Sequence, residues 1–195
     1  MKVDIFNIDK KYNIIYADPA WSYRDYTSRE VAERNLNNNS KKSVVMKYDV
    51  MKTQDLCDLP IKDICAEDCI LFMWVTMPKL NECFDLMKSW GFKYSTCGFT
   101  WIKKNKKNTS TNFWGMGRWT RSNAELCLIG IKGKPQRVSK SIHSVIETPI
   151  EEHSKKPDCV RDKIVELCGD IPRIELFARQ SAEGWDCWGN EAPEN

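Results

Sequence analysis

Residues 13–23 read NIIYADPAWSY, and the fold depends on what this run does at its midpoint. Asn13–Ala17 is apolar and β-branched, as expected of an inner strand of a parallel sheet, and Asp18-Pro19 stops it abruptly. Ligands of open α/β sheets bind outside the carboxyl ends of the strands, so this aspartate, proline and tryptophan stand where a site is expected.

Working outward, strand-like runs alternate with helical ones. Strands are expected at Asn13–Ala17, Cys69–Thr76, Phe99–Lys103, Glu125–Ile131 and Arg173–Ala178. Helices are expected at Lys79–Trp90, with Leu80, Phe84 and Met87 on one face and Gly91 as the stop, and at Asp158–Cys168 between Pro157 and Gly169. This order predicts an α/β protein with a mostly parallel sheet and helices on both faces. Residues 22–47 and 104–123 are too polar or glycine-rich for core elements and are expected to be active-site or substrate loops.

At 195 residues and 42% hydrophobic content, residues 1–195 are expected to form one domain that needs no staples. No apolar run approaches a membrane span, and MKVDIFNIDKK lacks a signal peptide's apolar segment, so a soluble, cytoplasmic protein with no membrane partner is expected. The nine cysteines are scattered through hydrophobic segments without C-x-x-C spacing, and with two histidines they predict buried small side chains and no metal site. His153, alone in a polar loop, is a weak candidate for catalysis.

The net charge of +3 conceals an asymmetry. Phe99–Lys140 holds ten basic residues against Glu125 alone, a local +9, with Trp101, Phe113, Trp114 and Trp119 interleaved. A basic field with stacking side chains suits nucleic acid, and Arg118 and Trp119 are its candidate substrate contacts; solvated lysines at 103–107 are the plainer alternative.

An adenine or cytosine amine is a poor nucleophile because its lone pair is delocalised into the ring. An enzyme that alkylates it must accept hydrogen bonds from the NH2 group. Asp18 offers a carboxylate, the Asp18-Pro19 junction can aim a backbone carbonyl, and Trp21 offers a surface on which to stack the base. Asp-Pro is also an ordinary way to leave a strand, so a purely structural role stays open on these residues alone.

The four-residue motif and its company carry more. DPAW at 18–21 resembles the DPPW signature of the MT-A70 family, the adenine methyltransferases related to the catalytic subunit of messenger-RNA adenosine methyltransferase. CILFMWVT, FTWIKKN, GMGRWTRSNAELCLIGIKGKPQ, EEHSKKPDCV, RIELFAR and GWDCWGNE are similar to further motifs of that family, in the same order along nearly the whole chain.

The resemblance implies a permuted Rossmann-like class I methyltransferase fold of the beta-class order, a single catalytic domain and S-adenosyl-L-methionine as cofactor. It implies that Asp18, Pro19, Ala20 and Trp21 form the catalytic turn, while Trp74, Trp101 and Glu125 line the substrate side. Cofactor contacts are implied for Asp18, Lys156, Arg179, Asn190 and Glu191, with Asp4 and Ile5 flanking the cofactor adenine. The substrate implied is adenine in nucleic acid, DNA ahead of RNA, since a bare catalytic domain looks like bacterial or phage members. A homodimer or a heteromeric partner is compatible, as is a catalytically inactive nucleic-acid-binding homologue.

Two departures stand out. Ala20 replaces the second proline, removing one rigid φ constraint from the turn. Ser181, Ala182 and Glu191 stand where the messenger-RNA enzymes have other polar cofactor contacts. No Pro-Cys pair exists to support methylation of a pyrimidine ring carbon, and no G-x-x-x-x-G-K-[ST] loop supports a P-loop enzyme.

Overall fold

The computed structural model describes residues 1–22, 51–117, 119–152 and 155–193, so most of the expected loop 22–47, together with Arg118 and His153, lies outside the described residues. The described chain runs β1 (Tyr12–Ala17), α1 (Thr53–Cys57), α2 (Ile61–Ile64), β2 (Cys65–Val75), a 3₁₀ turn (Met77–Lys79), α3 (Leu80–Ser89), β3 (Lys93–Lys104), β4 (Glu125–Lys132), β5 (Val145–Pro149), α4 (Cys159–Cys168), β6 (Arg173–Leu176) and β7 (Asp186–Trp188).

The strands form one sheet in the order β5-β3-β4-β2-β1-β6-β7. Every strand runs in the same direction except β4, which is antiparallel to both β2 and β3. The fold is a mixed, mostly parallel, Rossmann-like α/β sheet with the leading strand near its centre.

Alternation along β1 assigns the two faces. Ile15 and Ala17 pack with Leu71, Met73 and Val75 against Leu56, Ile61, Ile64 and Leu86 from α1–α3 and Trp90 just after α3. Ile14 and Tyr16 pack with Phe72, Trp74, Phe99 and Trp101 against Val160 and Ile164 of α4. Each fully buried aliphatic or aromatic side chain contributes roughly 1.5–3 kcal/mol, so a central strand clad on both sides is held far more firmly than its hydrogen bonds alone would hold it.

Some local expectations shift. The buried face of α3 is Cys83, Leu86 and Met87, and Phe84 is turned outward against Tyr94 at 5.0 Å. Leu80 packs on the same core and Met87 is buried, as expected, while Cys83 takes the place of Phe84 against the sheet, its Sγ 3.4 Å from Met73 Sδ. β3 begins at Lys93, earlier than Phe99, because its polar first residues pair with β4 although the side chains of 93–96 are all exposed. β5, β7, α1 and α2 had no sequence signal: the strands are short edge or near-edge segments, and helices of five and four residues present no period. All nine cysteines are free, and six are buried, which agrees with their reading as small hydrophobic side chains. Among the described residues no helix is long and apolar enough to cross a membrane.

Candidate active site

The shared strand direction collects the ends of β1, β2, β3, β5, β6 and β7, and the start of β4, at one edge of the sheet. Asp18 follows β1 directly, and Trp21 N–H donates to the Pro19 carbonyl at 2.8 Å, closing a tight turn. Met51 N–H donates to the Ala20 carbonyl at 2.9 Å and Ser22 N–H to the Met51 carbonyl at 3.3 Å. These bonds pin the turn at the position where the family pattern has its second proline. The Trp21 ring is buried and its N–H reaches the Trp74 carbonyl at 3.4 Å, so it supports the turn from within the core instead of offering an open stacking surface.

A chain of alternating charges crosses this edge. Lys156 Nζ stands 2.8 Å from Asp18 Oδ2 and 3.3 Å from Glu125 Oε2, and Glu125 Oε1 in turn accepts from Lys103. Burial pushes the Asp18 carboxyl above the ordinary aspartate value, with Lys156 pulling the other way. Burial would likewise raise Glu125, but Lys156 and Lys103 together hold it below its usual value. Burial would depress the Lys156 ammonium, and Asp18 and Glu125 outweigh it and keep the group charged. The lysine assigned from sequence to the cofactor therefore holds the aspartate of the Asp-Pro turn. Trp74, expected to line the pocket, is fully buried beneath it: Lys156 Nζ lies 5.8 Å from its ring centroid, and its indole N–H donates to Tyr16 Oη at 2.7 Å.

The remaining cofactor candidates gather at the β6–β7 end of the same edge. Residues 1–3 pair alongside β7, through Val3 N–H to the Cys187 carbonyl at 2.9 Å, which carries Asp4 and Ile5 to the ligand side. Asp4 closes a turn by accepting from the Asn7 side chain at 2.5 Å and the Phe6 N–H at 3.0 Å, and both bonds lower its pKa. Ile5 is buried. Phe6 is exposed and meets Trp188 edge-on at 6.4 Å, and Trp188 meets Phe177 at 5.4 Å. Arg179 Nε faces Glu191 Oε2 at 3.5 Å, beside exposed Asn190. A Cβ at Gly189 would overlap the Ala178 backbone, so the chain passes there only as glycine. Among the described residues Phe177, with φ 61°, is the non-glycine residue in the left-handed region, which puts backbone strain at this edge too. An aromatic group, carboxylates and a guanidinium within one rim fit the adenine, ribose and carboxylate ends of S-adenosyl-L-methionine. Phe6, Phe177 and Trp188 were not anticipated from sequence, where they read as ordinary hydrophobic positions.

On the other flank, a cavity of about 240 Å³ is lined by Trp101, Lys103, Phe113, Glu125, Ile150, Glu151, Glu152 and Lys155. Phe113 belongs to the β3–β4 loop, which Asn123 secures: its side chain accepts from Lys103 N–H at 3.2 Å and donates to the carbonyls of Lys103 (2.8 Å) and Phe113. Asn123 carried no sequence signal. Several basic residues of this region are engaged within the protein: Lys103 by Glu125, Lys104 by Glu147 at 2.8 Å, and Arg121 by the carbonyls of Gly115 (3.0 Å) and Trp114 (3.2 Å). Lys106, Lys107 and Trp119 are exposed.

A sheet of this topology, with its leading strand delivering an Asp-Pro-Ala-Trp turn to the ligand edge, defines a Rossmann-like methyltransferase. The MT-A70 family model matches residues 12–191. The chain is 36% identical over 194 residues to the Type II methyltransferase M.MunI of a Mycoplasma species, covering 95% of this chain and 80% of that protein. It is 26% identical to the human N(6)-adenosine-methyltransferase catalytic subunit METTL3, over 93% of this chain and 28% of that one. It is 27% identical to the Arabidopsis thaliana N(6)-adenosine-methyltransferase MT-A70-like protein, over 92% of this chain and 24% of that one. The chain thus spans about a quarter of these two plant and animal relatives. It belongs to the MT-A70 family and is, by that membership, an adenine N6-methyltransferase.

Proposed function

We propose that this protein methylates the exocyclic amine of adenine in DNA with S-adenosyl-L-methionine as donor. The observation that carries the reading is the Asp18 carboxylate at the head of the central strand, with Oδ2 held by Lys156 at 2.8 Å. That contact leaves Oδ1 for the incoming amine. Asp18 Oδ1 and the Pro19 carbonyl accept its two N–H groups, which aligns the nitrogen lone pair for in-line attack. The burial that raises the Asp18 pKa also makes this carboxylate a better acceptor for the proton the amine loses. Trp101 and Glu125 bound the base side; Glu125 also keeps Lys156 in place.

Arg179, Asn190, Glu191, Asp4 and the backbone at Ile5 hold the cofactor in this reading, with Phe6 and Trp188 against its adenine. When bound, S-adenosyl-L-methionine supplies a methyl group already activated on a sulfonium. The similarity to a type II methyltransferase and the exposed basic loop support DNA. The similarity to METTL3, named as a catalytic subunit, supports a second reading in which RNA is the substrate or a partner subunit completes the site.

Radiolabelled S-adenosyl-L-methionine with matched DNA duplex, single-stranded DNA and RNA, followed by hydrolysis, tests the proposal. Label in N6-methyladenine from DNA is the expected result, and Asp18→Ala abolishes it while cofactor still binds. Label confined to RNA would transfer the reading to the RNA arm, and full turnover by Asp18→Ala would remove that residue's role.

A further inference from the structure

The described residues of the β3–β4 loop, 105–117 and 119–124, are braced by their own hydrogen bonds. Asn105 N–H donates to the Thr111 carbonyl at 3.0 Å, and the Asn105 side chain bonds Thr111 Oγ1 (2.8 Å) and the Asn112 carbonyl (3.0 Å). Gly115 N–H donates to the Ser122 carbonyl at 2.7 Å, and Arg121 clamps the Trp114 and Gly115 carbonyls from across the loop. At the tip a Cβ on Gly117 would overlap the Thr120 carbonyl, so the turn closes only with glycine. The loop nevertheless presents Trp114, Met116 and Trp119 to water at 52%, 88% and 90% exposure. Holding large apolar groups outward on a braced loop makes physical sense if they enter something else.

We propose that this tip is a wedge that enters a DNA duplex at the position vacated by the target adenine, so that the substrate is double-stranded. The inference rests on the DNA reading above and names the form of DNA that the site takes. One loop carries both halves of the required geometry. Phe113 forms a wall of the cavity beside Glu125, and the apolar tip begins at the next residue. A base in that cavity has left its stack, and an apolar side chain stabilises the hole it leaves. Charge agrees: residues 105–124 contain Lys106, Lys107, Arg118 and Arg121 and no acid. A platform for single-stranded bases would use flat rings along a groove. Here an unbranched methionine is among the most exposed side chains, and the group projects from a turn.

The test compares wild type with the Met116→Ala/Trp119→Ala double variant on the matched duplex, on the same duplex with an abasic site opposite the target adenine, and on the single strand. The target context is read first from label incorporated into plasmid DNA. A second readout, independent of turnover, is the fluorescence of 2-aminopurine at the target position on binding. Both substitutions are at exposed positions, and an unchanged melting temperature checks the fold. The expected result is a loss of about 10- to 100-fold in kcat/KM on the matched duplex, a far smaller loss where the adenine is already unpaired, and a weakened 2-aminopurine signal. Equal losses on all three substrates, no loss on the duplex, or a wild-type preference for the single strand would overturn the wedge and leave the methyltransferase reading standing. A wild type that labels none of the three overturns both.

Discussion

Replacing Lys156 by methionine probes the charge chain at the head of the sheet. Methionine keeps a side chain of similar length and removes the ammonium, which stands between Asp18 and Glu125 and 5.8 Å from the Trp74 ring centroid. The Lys156 side chain is 13% exposed, so this is close to breaking a buried pair, for which about 3–5 kcal/mol is typical. Asp18 is 31% exposed and partly screened, and Glu125 keeps Lys103, which places the loss at the low end, about 3 kcal/mol. At about 2–4 °C per kcal/mol for a domain of this size, the midpoint should fall by about 6–12 °C in thermal unfolding followed by circular dichroism. The pH profile of kcat/KM gives a second readout. Burial already raises the Asp18 carboxyl and Lys156 opposes that rise, so activity falls on the acid side at a pH above the ordinary aspartate value. Removing Lys156 moves that limb further toward neutral. Glu125→Gln, which removes a carboxylate that raises Asp18, moves it the other way. In Asp18→Asn/Lys156→Met neither charge is stranded, and part of the lost stability returns. A midpoint within 2 °C of wild type together with an unmoved acid limb would show that Lys156 does not hold Asp18 in solution.

Other consequences concern the scaffold and the surface. Arg161 on α4 grips Glu175 of β6 with two bonds of 2.6 and 2.8 Å, so Arg161→Lys, which cannot form the fork, should lower stability by about 1.5–3 kcal/mol in urea unfolding; a midpoint unchanged within error would contradict this. Gly189→Ala forces the chain away from the Ala178 backbone, and isothermal titration should show S-adenosyl-L-methionine affinity reduced about tenfold or more, the equivalent of at least ~1.4 kcal/mol; native affinity would separate this turn from the cofactor site. The exposed pair Lys106→Glu/Lys107→Glu should flatten the slope of log affinity against log salt by about two, whereas Lys104→Ala, whose ammonium faces Glu147, should change it little. An unaltered slope in the Lys106/Lys107 variant would return these lysines to a solvation role.

Much of the architecture was written in local pattern. The five longest-range hydrophobic runs became β1, β2, β3, β4 and β6, because an apolar segment of strand length flanked by breakers has few other ways to bury itself. The Asp18-Pro19 exit was equally legible, since the dipeptide ends a strand whatever surrounds it. β5 and β7 were not legible: Val145–Pro149 is stable only beside β3, and Asp186–Trp188 only beside β6 and the N-terminal residues. In α3 the expected Leu80 and Met87 do face the core, but Cys83 stands there in place of Phe84, a choice made by contact with Met73 of the sheet and not by the helix period.

The same division runs through the site. The sequence by itself determined which chemistry is present: a carboxylate at a strand exit, a lysine in a Lys-Pro step, a basic aromatic segment and the ordered motifs of the MT-A70 family. Those follow from residue types and short spacings. Only the tertiary structure decided that Lys156, 138 positions from Asp18, grips it, and that Glu125 and Lys103 complete the chain. Likewise only the fold shows that Trp21 and Trp74 are buried and that Arg121 serves its own loop. Pairings of that kind depend on strand order and direction, and these are chosen by the total burial on both faces of the sheet, a quantity that no single stretch of sequence carries.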